Sequence, residues 1–129
     1  MDKKYIELFK ELAHATEISA EQVMEYNKSK KDDKGVETAE ILRKDFTELY
    51  DKIRADDFDG TLTKSEFAKL LVGCYVVVGN LQDRITALKK ALVGYQTDLV
   101  PKLDEIIKTE NDEEAMKLAN EKFTIKVEE

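Results

Sequence analysis

No tryptophan, one proline, one cysteine and one histidine occur among the 129 residues of this chain, and each scarcity removes a class of structure or chemistry. A single cysteine leaves no partner for an intramolecular disulfide and rules out a zinc site built from several thiolates. A single histidine, His14, cannot supply the two Glu-x-x-His pairs of a carboxylate-bridged di-iron bundle, although Glu11 and His14 have that spacing. One proline and five glycines leave few places for tight turns, which fits an all-helical chain. Long apolar runs are missing as well. The most apolar stretch, Phe67 to Leu81, is shorter than the roughly 20 residues of a membrane span and carries Lys69 and Asn80. There is no cationic excess: the formal net charge is −7 with the charges interspersed, which argues against a generic nucleic-acid binder. The first residues, MDKKYIELFKEL, lack the apolar centre of a secretory signal, so the expected setting is cytoplasmic. No nucleophile elbow, phosphate-binding glycine loop or HExxH motif occurs; the expectation is no enzyme, no metal and no cofactor.

What is present is a heptad series: Phe67, Leu71, Cys74, Val78, Leu81, Ile85, Leu88, Leu92, Tyr95 and Leu99. This spacing is the seam of helices packing nearly parallel, and it predicts one long central helix over about residues 63–98. Between Leu70 and Val78 the positions off the seam are apolar too, so this half of the helix is expected to be enclosed on all sides. Cys74, at a seam position, reads as a small buried thiol rather than a nucleophile. Pro101, with Gly94 before it, predicts a kink or break between Gly94 and Val100. Asp98 would then cap a new segment carrying Leu99, Leu103, Ile106 and Ile107.

Elsewhere the helical period is clear and the ends less so. Tyr5, Leu8, Phe9 and Leu12 share one face of a first helix. Ser19 with Gln22 has the form of a capping box, so a second helix could begin there, or the first could run on to about Lys28. The polar run Asn27 to Gly35 reads as a loop, and Ala39, Leu42, Phe46, Leu49 and Ile53 mark a helix starting near Val36. Asp59-Gly60 signals a turn, and Thr63 with Glu66 forms a capping box at the start of the central helix. Thr109 to Asp112 is a polar joint before a short helix with Ala115, Leu118 and Ala119. The tail from Phe123 to Val127 alternates in a way that suits a short strand or a frayed end. The expected architecture is a single domain, residues 1–129, all-α: an antiparallel three- or four-helix bundle with a short C-terminal element.

Two segments resemble known motifs. Asp57, Asp59, Gly60, Leu62 and Glu66 fall at the third, fifth, sixth, eighth and twelfth positions of an EF-hand calcium loop, with Ala55 where the family places its first aspartate. Leu12 to Tyr26 resembles the helix-turn-helix of bacterial and phage repressors, with Ala13, Ile18 and Val23 at its packing positions and Glu17 at the usual turn glycine. That resemblance implies a DNA-associated regulator, but its recognition helix would bring Glu21 and Glu25 to the phosphates. The expectation the residues favour is a non-enzymatic, small acidic interaction or assembly module that self-associates as a homodimer or higher oligomer, with no other protein partner named by the sequence. It would associate through Val72, Gly73, Tyr75, Val76 and Gly79, because the remaining segments offer little material to wrap the central helix completely.

Overall fold

A computed structural model describes the backbone of residues 1–79 and 86–124, and their side chains except at 78 and 86–96. The protein is all-helical, with five helices and no strand among the described residues. The first, α1 (Lys3–Ser29), is unbroken. Ser19 therefore sits in mid-helix and is fully buried. Nothing between Thr16 and Ser19 opposes helix, and packing of the surrounding residues carries α1 through the capping signal. The loop expected over residues 27–35 shrinks to a tight connection. Lysines are good helix formers and extend α1 to Ser29; Lys31 then takes a φ of 57°, and Asp32 accepts the Gly35 N–H at 3.0 Å. The second helix, α2 (Asp33–Arg54), runs back along α1 and buries Ala39, Phe46, Leu49 and Ile53.

The single long helix expected over residues 63–98 is instead two. The third helix, α3, spans Lys64–Gly79 and the fourth, α4, spans Thr86–Ile107; residues 80–85, with the seam positions Leu81 and Ile85, lie outside the described residues. The seam side chains of Val78, Leu88, Leu92 and Tyr95 lie outside them as well. Here α4 packs back along α3, so that the Lys64 ammonium at the start of α3 donates to the Thr109 carbonyl just past the end of α4. Heptad spacing suits two helices packed on each other as well as one long one, and Gly79-Asn80 has the composition of a helix stop. The break expected between Gly94 and Val100 is absent also. Pro101 lies inside α4, and the hydrogen bond it forgoes, to the Thr97 carbonyl, falls on a side where Thr97, Asp98 and Pro101 are all exposed to water.

The fifth helix, α5 (Asp112–Lys122), is capped by Asn111, whose side chain accepts the Glu114 N–H at 2.9 Å. It fastens the bundle at one pole: the Asp2 N–H donates to the Phe123 carbonyl at 3.0 Å, and Tyr5, Phe9 and Phe123 form an aromatic cluster with centroids 4.9 to 6.4 Å apart. Phe123 is thus core rather than strand, and residues 125–129 lie outside the described residues. Leu12, Phe46, Phe67, Leu70, Val77, Leu99, Leu103 and Ile106 fill the centre, each fully buried. Burial of such a side chain is worth about 1.5–3 kcal/mol.

Candidate interaction surface

Helix α3 has two unlike faces, and the 3.6-residue period decides which residue joins which. Phe67, Leu70, Cys74 and Val77 turn inward and are buried. Val72, Tyr75, Val76 and Gly79, spaced three and four residues apart, form the opposite stripe. Val72 is 48% exposed and Tyr75 56%, Val76 is half-buried, and Gly79 is exposed, with no atom of the described residues within 4 Å of where a Cβ would stand. Gly73, expected on this surface, lies inside the bundle. A Cβ there would come within 2.9 Å of Thr16 Oγ1 and 3.2 Å of Phe46 Cε1, so its smallness admits α1 and α2 of the same chain rather than another molecule.

Beside the outer stripe, an open groove of about 480 Å³ lies where α3 meets α1 and α2. Val23, Ala39, Leu42 and Val76 give it apolar walls, and Asn27, Asp32, Lys34 and Thr38 give it a polar rim. Val23 is 44% exposed, so the apolar surface continues from α3 across the groove to α1. From Leu70 to Gly79 the chain carries no charged residue, although 38% of all residues are charged. A second depression, between α1 and α2, is polar and mixed in charge, lined by Glu17, Glu21, Glu40, Arg43, Lys44, Thr47 and Glu48.

The other constellations resolve into structural roles. In the calcium-loop-like segment, Asp59 accepts the Thr61 N–H at 2.8 Å, which holds its carboxyl below the usual range, and Gly60 takes a φ of 85°. Glu66 is occupied twice, accepting the Thr63 N–H at 2.8 Å and pairing with the Lys52 ammonium at 2.6 Å. Its own N–H donates to Thr63 Oγ1 at 3.1 Å, so the capping box is complete. The helix-turn-helix reading fails on geometry, since Leu12 to Tyr26 lie within one continuous helix and no turn sets a recognition helix apart. His14 stacks on Tyr50 of α2 with ring centroids 4.5 Å apart, and Arg54 lies 5.0 Å from the other ring's centroid, that of Tyr50. Cys74 is buried, and desolvation pushes its thiol up to about 11, well away from a reactive thiolate. No group of three or more potential metal ligands occurs among the described residues. None of the described helices is long and apolar enough to cross a membrane.

Of the five residues expected at an interface, Val72, Tyr75, Val76 and Gly79 lie on one stripe and Gly73 does not. Sequence reasoning missed the groove, because Val23, Ala39 and Leu42 looked like ordinary helix-face residues and only the packing of three helices brings them together. Comparison with protein-family models, curated proteins and solved structures gives no match.

Proposed function

We infer that this protein is a non-enzymatic assembly module that associates with copies of itself through the outer face of α3. The observation that carries this reading is the apolar stripe of Val72, Tyr75 and Val76, continuous with the groove and free of charge in a strongly charged protein. Exposed apolar surface of this kind favours association. Sedimentation at micromolar concentration should show more than a monomer. Val72→Lys should shift it toward monomer while helicity is kept, because Val72 is 48% exposed and a lysine there can extend into water. A wild-type monomer at high concentration would end this reading, as would a Val72→Lys protein that associates unchanged.

A further inference from the structure

We propose that Met116 is an oxidation site, at which a hydroperoxide turns the thioether into a sulfoxide and so unfastens α5 from the segment leading into α3.

The Met116 sulfur carries a structural bond. Sδ accepts the backbone N–H of Leu62 at 3.2 Å, joining α5 to the residues just before α3. A thioether is a weak acceptor, yet Leu62 is fully buried, so its N–H has little water to turn to. Met116 itself is only half-buried, whereas Met24 is 6% exposed inside the bundle. A small oxidant can therefore reach the sulfur that holds Leu62. Two further contacts cross the same joint: the Lys64 N–H donates to Asp112 Oδ1 at 2.8 Å, and the Lys64 ammonium donates to the Thr109 carbonyl. Both lie at or before the first residue of α5, so the Met116 bond is the one made by the body of the helix. Beyond it comes Phe123, which packs on Tyr5 and Phe9.

In the reaction a sulfur lone pair attacks the outer oxygen of the hydroperoxide. The S–O bond forms as the O–O bond breaks, the proton of the transferred oxygen passes to the departing one, and water or an alcohol leaves. Sulfur loses two electrons and the peroxide gains them. At 3.2 Å the sulfur already stands at hydrogen-bond distance from the Leu62 nitrogen, so no oxygen fits between them. The polar, bulkier sulfoxide turns to the solvent that half-reaches Met116, and the Leu62 N–H is left buried without an acceptor, which is costly.

Dilute hydrogen peroxide on the whole chain tests this. Peptide mass spectrometry should show oxygen added at Met116 roughly tenfold faster than at Met24. With it, amide exchange at Leu62 should quicken by about tenfold or more and the melting temperature should fall by several degrees. Met116→Leu keeps the apolar bulk but not the acceptor; it should show fast Leu62 exchange from the outset and no further change with peroxide. Should that variant fail to fold, methionine sulfoxide reductases acting on the oxidised protein should restore slow exchange. Met116 sulfoxide with unchanged Leu62 exchange would overturn the proposal. So would a peroxide-induced loss of stability that persists in Met116→Leu, or one that remains after the sulfoxide has been reduced.

Discussion

Replacing Gly73 by alanine sets a methyl group against Thr16 Oγ1, which is already held by the Leu12 carbonyl at 2.7 Å, and against the Phe46 ring. Both neighbours are fixed within the bundle, so overpacking should cost about 1–3 kcal/mol in urea unfolding. Gly79→Ala is the control: its Cβ meets no atom of the described residues, and it should leave stability unchanged or raise it by up to about 1 kcal/mol. Cys74 gives a pH signature. Its thiol ionises near 11 in the folded protein and near the ordinary 9.0 when unfolded, so the unfolded state loses the proton first. The stability this contributes is complete below pH 9 and falls as pH rises toward 11, by about 1.4 kcal/mol per pH unit. A Cys74→Ala protein should lack that component of the slope; equal slopes in the two proteins would contradict it. At this scale the heptad period marked Phe67 and Cys74 as inward, but it also marked Leu71, which is half-buried, while Leu70, off that seam, is fully buried. Nothing near Gly73 could mark it as an internal contact, since the atoms that crowd it belong to α1 and α2.

The start of α3 was readable in full. Thr63 and Glu66 carry a local pattern, and local hydrogen bonds need no tertiary information to form. Thr63→Ala should cost about 1 kcal/mol through loss of the cap. Millimolar calcium should leave the melting temperature unchanged, because the Glu66 carboxylate is committed to the Thr63 N–H and to Lys52 and Ala55 offers no ligand. A rise of several degrees that disappears in Glu66→Gln would reverse this conclusion. Element ends were less legible wherever a local signal competed with packing. Ser19 and Gln22 spell a helix start, yet α1 passes through them, because burial of Leu12, Ala13, Thr16 and Ala20 outweighs a cap. Pro101 likewise interrupts nothing, since its missing hydrogen bond faces water.

For the molecule as a whole, the all-α bundle was legible from periodicity, but the folding back of α4 onto α3 was not, because a heptad seam does not say whether its partner lies in the same helix run or beside it. The groove was illegible for a related reason: it exists only where three helices converge. If self-association joins uncharged faces of molecules of net charge −7, added salt should strengthen it by screening repulsion across a Debye length of about 10 Å at 0.1 M. Sedimentation at low and high salt checks this, and weakening with salt would point to ion pairs at another surface. The packing of α1 against Phe123 bears on how the protein comes into being. Tyr5 and Phe9 complete their packing only against Phe123, and the Met1 ammonium is held by Asn120 at 2.7 Å. During synthesis the first helix therefore waits, with its aromatic residues uncovered, until Phe123, beyond all five described helices, has left the ribosome. The pole that seals the bundle closes late, and a chain stalled before Phe123 would present those rings to any chaperone that binds apolar surface.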